Sequence, residues 1–366
     1  MFVAALCAAG LMPLIIRLRA LDKDHFTAPQ NVHNEPTSRL GGSAVFAAYV
    51  LGIVVAMALG HPSRRLLTLM VVSALPVLLA GVFEDVTRRL APRQRLFAAL
   101  LSAILASWLA GGAIARLDVP YIDSWLEILI FVLPLTWFMV AGACNAINLI
   151  DGAHGLAGGT ALLMFLGMAV AASKLGDAVV LLQAVTMIGA IAGFMVWNYP
   201  RGKVFLGDGG AYFIGFIYSQ LAIQIVARND GLSAWFVIML AAYPIMETLY
   251  SMYRRKLIHR TPSMRPDALH LHSLIYRREC RAAGFGPDDL AADSINARVA
   301  PRLWLHGALC CGVALAFSSN TAALVSGIAG YALFYCWQYA ALLRGPDADA
   351  HIALVTVVLK DQRDGH

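Results

Sequence analysis

Eleven stretches of this sequence are apolar over roughly the length of a bilayer crossing, and no other feature limits the fold as severely. They lie near residues 1–18, 41–60, 66–83, 96–112, 125–142, 157–173, 178–197, 211–227, 232–251, 303–319 and 321–342. A helix needs about 20 apolar residues to cross the hydrocarbon core. Only 14% of the 366 residues are charged, against roughly 25% in soluble domains, and mean hydropathy is +0.68. Such a chain has too little polar surface to enclose a globular core. A soluble globule, a disordered chain and a secreted disulfide scaffold are therefore excluded. Hydrocarbon offers the backbone no hydrogen bonds, so the expected fold is all-α, a polytopic integral membrane helical bundle of about 11 transmembrane helices. The first stretch reads as a helix and not a signal peptide, since no basic residue precedes it and no small-residue cleavage site follows cleanly. Residues 1–342 are expected to form one transmembrane domain with a long loop at 252–302. Residues 343–366 form a tail, whose apolar run at 352–359 is too short to cross.

Charge sets the expected orientation. All but five of the 28 Lys and Arg residues fall in the loops of one side or at the adjoining span ends. The exceptions are Arg64, Arg65, Arg116, Lys174 and Arg228. The positive-inside rule makes the richer side cytoplasmic, with the N-terminus outside and the C-terminus inside. The net charge of +6 then belongs to topology, and nucleic acid is not an expected partner. The cysteines at 7, 144, 280, 310, 311 and 336 form no C-x-x-C pair, so neither a disulfide framework nor a zinc site is signalled.

The basic loops also hold the unusual polar residues, whereas the turns on the other side are short and bland. A first cluster, residues 31–42, includes Arg39 and ends in Gly41-Gly42, which permits close backbone approach. Its plainer reading is a polar loop before a helix. The second is Glu84-Asp85, followed by Arg88, Arg89, Arg93 and Arg95. Adjacent carboxylates at a span end are costly near hydrocarbon without a cation or other partner. A stop-transfer sequence whose acids pair with the arginines is the plainer alternative. In the third, Asn145, Asn148 and Asp151 stand three apart, before Gly152 and His154. On a helix they share one slowly drifting stripe, and three oxygen-bearing side chains there suit a hard cation such as Mg²⁺. Interhelical hydrogen bonding is the plainer reading.

The fourth cluster is Phe205-Leu206-Gly207-Asp208-Gly209-Gly210. Its lone Asp is either a helix cap or a carboxylate offered, with bare N–H groups, to a metal–phosphate complex. The fifth lies in the long loop: Arg254, Arg255 and Lys256, then Arg265, Asp267, His270, His272 and Ser273, then Arg277 and Arg278. Histidines two apart share a face only in an extended segment. The surrounding oxygen ligands favour Mg²⁺ or Mn²⁺ over zinc or iron, so the histidines read as phosphate hydrogen-bond donors. Topology accounts for the arginines but not for them.

In chain order, Asn145-x-x-Asn148-x-x-Asp151-Gly-x-x-Gly-Leu-Ala-Gly-Gly, Phe205-Leu-Gly-Asp208 and Pro266-Asp267-x-x-His270-x-His272 resemble the polyprenyl-phosphate N-acetylhexosamine-1-phosphate transferases, glycosyltransferase family 4. The resemblance runs over about residues 15–280. The His-x-His form and the eleven stretches look more like the WecA and WbpL branch than the phospho-MurNAc-pentapeptide transferases, which carry a run of three histidines. Three positions depart from the family pattern. Glu84-Asp85 replaces paired aspartates, His154 stands where a second Asp is frequent, and Ser273 stands where a third histidine often follows.

The resemblance implies transfer of an N-acetylhexosamine-1-phosphate from a UDP-sugar to undecaprenyl phosphate, releasing UMP and initiating a cell-surface polysaccharide of O-antigen or enterobacterial type. It implies Mg²⁺, with Mn²⁺ as substitute, held by Asn148 and Asp208. Glu84, Asp85, Asp151, His270 and His272 are the expected catalytic group. Arg39, Arg95, Asn145, His154 and Asp267 are the expected substrate contacts. The partners are then a UDP-N-acetylhexosamine, undecaprenyl phosphate and the lipid bilayer, with a homodimer left open, at the cytoplasmic face of the inner (plasma) membrane. A secondary transporter is the alternative of another class. It is disfavoured because no internal repeat is evident and the acids cluster at span ends, not at mid-bilayer.

Overall fold

Glycine, proline and short polar turns divide the apolar sequence into helices. The computed structural model describes residues 1–17, 37–258, 269–285 and 293–344. In order the helices are α1 (Phe2–Arg17), α2 (Gly41–Ala58), α3 (Arg64–Thr87), α4 (Pro92–Ala110), α5 (Asp123–Leu126), α6 (Leu129–Leu149) and α7 (Leu156–Leu175). They continue with α8 (Ala178–Asn198), α9 (Gly207–Arg228), α10 (Trp235–Leu240), α11 (Ala242–Tyr253), α12 (Leu271–Ala282), α13 (Asp293–Ala316) and α14 (Thr321–Leu343). Among the described residues every regular element is helical, as an interior that must satisfy its own backbone requires. The expected features at 31–36, 265–267 and 345–366 lie outside the described residues.

Local chemistry sets the helix ends. Pro92 opens α4 with a preset φ and no N–H to leave unpaired, and the Gln94 side chain accepts from the Ala91 N–H at 2.7 Å. Between α7 and α8 the Asp177 carboxylate accepts from the Val180 N–H at 3.1 Å, an N-cap.

Among the described residues seven helices can cross a membrane by length and composition: α2, α3, α6, α7, α8, α9 and the Ile295–Ala316 part of α13. The chain is thus a polytopic, all-helical membrane protein. The single span expected at 232–251 is instead two pieces, α10 and α11. Pro244 has no N–H for the Leu240 carbonyl, and its ring crowds that oxygen, so the helix breaks there. Pro76 leaves α3 whole, and in the same turn Ser102 Oγ of α4 accepts from the Val77 N–H at 3.0 Å.

The centre of the bundle is α9, buried from Gly207 to Val226. It packs against α2, α3 and α6. Small residues make this possible at its N-terminus. Gly209 lies against Gly81 of α3 and Gly210 against Gly42 of α2, so close that a β-carbon on either partner glycine would overlap the α9 backbone. The N-terminal ends of α2, α4 and α9 therefore meet the C-terminal ends of α3 and α6 at one end of the bundle. At the other end Arg116 donates to the carbonyls of Asn229 at 3.1 Å and Leu232 at 2.6 Å, and Asp118 accepts from the Ala234 N–H at 2.6 Å.

Candidate active site

The first turn of a helix presents N–H groups with no partner inside the helix. In α9 two of them are taken by a carboxylate from another helix. Asp85, near the end of α3, accepts from the Asp208 N–H on Oδ1 and from the Gly209 N–H on Oδ2, each at 2.9 Å. A negative charge here also meets the positive end of the helix dipole. Gly207 makes the approach possible. Its φ is +73°, and a β-carbon there would collide with the Arg39 carbonyl and the Asp85 carboxylate.

Asp85 thus fixes where Asp208 stands. The Asp208 carboxylate accepts from Asn148 Nδ2 at 2.9 Å, pairs with the Arg95 guanidinium, and lies 3.7 Å from Arg39. Arg39 is also 3.7 Å from Asp85, so it bridges the two carboxylates. Asn148 comes from the last turn of α6, with Asn145 one turn earlier. Asp151 follows in the turn to α7, where desolvation pushes its carboxyl up to about 6 against the pull of Arg39 and of the Gly207 N–H. Glu84 turns away from its neighbour Asp85. One of its oxygens accepts from the Leu90 N–H at 2.7 Å and holds the link between α3 and α4.

The histidines arrive from the far side. His270 is the N-cap residue of α12 and has extended backbone; His272 is inside the helix, and the two rings stack 5.4 Å apart at 7°. His270 Nδ1 lies 3.2 Å from a carboxylate oxygen of Glu247 in α11, and the Leu271 N–H donates to the same oxygen at 2.8 Å. The Leu269 carbonyl accepts from Arg254 at 2.6 Å and from the Tyr339 hydroxyl at 2.9 Å. The His272 ring packs onto Gly152, beside Asp151.

One cavity of about 1290 Å³ joins these groups. Arg39, Glu84, Arg95, Asn145 and Asn148 line it, as do Asp151, Asp208, His270 and His272. Asp85 sits behind its wall. His154 does not line it. Its ring is buried, with Nδ1 3.1 Å from the Pro200 carbonyl, and the backbone N–H of His154 donates to Asn296 Oδ1 at 2.7 Å. That ties the turn after α6 to the segment between α8 and α9. Asp267 is outside the described residues. Sequence reasoning missed Glu247 and Arg254, the first hidden in an apparently plain span and the second counted as topological charge. A lone Glu three residues after Pro244 was the available signal.

Among the described residues no three His, Cys, Asp or Glu side chains gather as a metal cage. Asn148 and Asp208 are adjacent oxygen-bearing side chains. They fit a hard cation that fills its shell with substrate phosphates and water, the habit of Mg²⁺, and not a zinc site with its closed set of ligands.

The profile of glycosyl transferase family 4 matches residues 67–226, a segment holding Asp85, Asn148 and Asp208. A Bacillus subtilis protein named probable undecaprenyl-phosphate N-acetylglucosaminyl 1-phosphate transferase is 27% identical over 74% of this chain and 75% of its own length. The decaprenyl-phosphate N-acetylglucosaminephosphotransferase of Mycolicibacterium smegmatis is 26% identical over 87% and 82%. The phospho-N-acetylmuramoyl-pentapeptide-transferase of Leuconostoc citreum is 26% identical over 62% and 74%.

Proposed function

We propose that the chain is a polyprenyl-phosphate N-acetylhexosamine-1-phosphate transferase of glycosyl transferase family 4, and that it transfers an N-acetylhexosamine-1-phosphate from a UDP-sugar to undecaprenyl phosphate. The observation that carries this reading is the make-up of the cavity. Arginines, histidines, carboxylates and amides crowd one end. Ile114, Leu117, Val226 and Ile238 line the other, beside the Asp118-paired Arg116, and an isoprenoid chain would lie there. One substrate cannot leave the bilayer and the other cannot enter it, so a site joining a charged head to an apolar run suits both. The basic loops around the charged end support a cytoplasmic location at the plasma membrane.

The barrier is mainly crowding of negative charge, so positioning and neutralisation are the effective levers. A non-bridging oxygen of the lipid phosphate bonds to the phosphorus that bears the sugar. The bond from that phosphorus to the UMP oxygen breaks, and UMP leaves with the electron pair. A phosphate monoester has a second pKa of about 6, so the nucleophile is already largely ionised at neutral pH and needs no dedicated base. Asn148 and Asp208 would hold Mg²⁺, which when bound supplies charge neutralisation on the diphosphate. Arg95, His270 and His272 contact phosphate oxygens, Arg39 balances the carboxylates, and Asp85 acts by holding Asp208 in place.

Two histidines in place of a longer run favour an N-acetylhexosamine donor, and hence a surface polysaccharide, over the peptidoglycan precursor. The test is purified protein with undecaprenyl phosphate and labelled UDP-GlcNAc. Organic-extractable label, stoichiometric UMP and loss of both in EDTA are expected. Label that enters vesicles as unchanged UDP-sugar, with no UMP, would make the protein a transporter and end this reading.

A further inference from the structure

Glu247 is 1% exposed on its side chain, in a stretch the sequence presents as apolar, and the chemistry above does not use it. A carboxylate buried to that degree needs donors. Two of them lead to the phosphate end of the cavity: His270 Nδ1 and the first N–H of α12. The other side of the same short segment is held by Arg254 and Tyr339 on the Leu269 carbonyl. Arg254 and Tyr339 are themselves joined at 2.5 Å. Three consecutive residues, 269 to 271, are thus fixed from α11, from its C-terminal end and from α14. Tyr243 of α11, His306 of α13, Tyr331 and Tyr335 of α14 and His272 of α12 also face the Glu247 carboxylate. Of these only His272 lines the cavity, as His270 does, and it is His270 that the carboxylate holds by a hydrogen bond.

We propose that Glu247 is a positioning residue for the transfer, acting through His270. The proposal rests on reading His270 as a phosphate contact. With Nδ1 donating to Glu247, the nitrogen that His270 offers a phosphate oxygen is Nε2. A neutral ring held this way presents a lone pair at Nε2 and repels that oxygen. Only the imidazolium donates from both nitrogens. The buried anion therefore does two things: it sets the ring's orientation, and it places a negative charge beside Nδ1. Glutamine meets the first need but not the second, because its amide oxygen still accepts from Nδ1–H while the charge is gone.

The test is a double-mutant cycle on the full-length purified protein with UDP-GlcNAc and undecaprenyl phosphate. It compares wild type, Glu247→Gln, His270→Asn and the double variant. Glu247→Gln is expected to lower kcat by about 10- to 100-fold, the usual cost of losing a group that orients a functional histidine. KM for UDP-GlcNAc should stay within about threefold, the sign of an interaction made mainly in the transition state. The double variant should be no slower than His270→Asn alone, because the two residues act as one unit. If Glu247→Gln fails to fold, Glu247→Asp and Tyr339→Phe serve in the same cycle, each expected to give a smaller kcat loss that also vanishes in the His270→Asn background. Losses that multiply, or a wild-type kcat in Glu247→Gln beside a crippled His270→Asn, overturn the proposal. A wild-type rate in His270→Asn removes the premise as well, and a wild-type protein that makes no product removes the transferase reading itself.

Discussion

Asp208→Asn is expected to lower transfer by about 10³-fold, the scale seen when one preorganised electrostatic group is removed from a reaction centre. The substitution keeps the shape of the side chain and the N–H that donates to Asp85. It removes the charge to which Arg95 and Arg39 are drawn and leaves the cation a neutral amide oxygen in place of an anionic one. The accompanying result is less obvious. Binding of UDP-GlcNAc in EDTA should hold or strengthen, because both arginines become available to the diphosphate. Calorimetry beside a UMP-release assay reads both quantities. A rate within tenfold of wild type would mean that Asp208 is not at the reaction centre.

Asp85→Asn is expected to cost about 10²-fold in rate, by a different route. Each oxygen of Asp85 accepts one N–H of α9 at 2.9 Å. An amide can serve only one of them, and its NH₂ would face the other donor. The clash and the lost charge at a helix N-terminus are together worth about 2–4 kcal/mol, felt as displacement of Asp208. The deficit should persist unchanged from pH 7 to pH 9, and metal-dependent binding of UDP-GlcNAc should weaken with it. A deficit that disappears at high pH with normal nucleotide binding would instead make Asp85 a base on the lipid phosphate.

The two carboxylates show how far the sequence could be read. Asp208 among glycines offered two readings, helix cap or ligand-binding carboxylate. The structure has Asp208 in the first turn of α9 and gives capping to Asp85, 123 residues earlier. No local pattern contains that pairing, since it depends on Gly81 and Gly42 letting three helices meet. Asn145 and Asn148 were legible together because three-residue spacing is a property of the helix itself, whereas Asp151 lies past the end of α6 and reaches the cavity from the turn. His154 belonged to the same run, yet the turn after Ile150 points it at Pro200 and away from the cavity. Helix periodicity does not extend into a turn. The broken segment at 232–251 was misread because hydropathy averages over Pro244 and Glu247, the two residues that give it a bend and a buried charge. Arg254 was absorbed into the basic count for the same reason: a charge tally does not distinguish a guanidinium at the surface from one buried against Leu269 and Tyr339.

The most direct test of the shared site is a crystal structure with Mn²⁺ and UDP-GlcNAc, recorded at a wavelength where manganese scatters anomalously. A single strong peak about 2.1 Å from side-chain oxygens of Asn148 and Asp208, with the nucleotide diphosphate completing its shell and His270 within hydrogen-bond reach of a phosphate oxygen, is the expected density. A peak elsewhere in the bundle, or a nucleotide bound with Asn148, Asp208 and His270 too far apart to touch it together, would contradict the account.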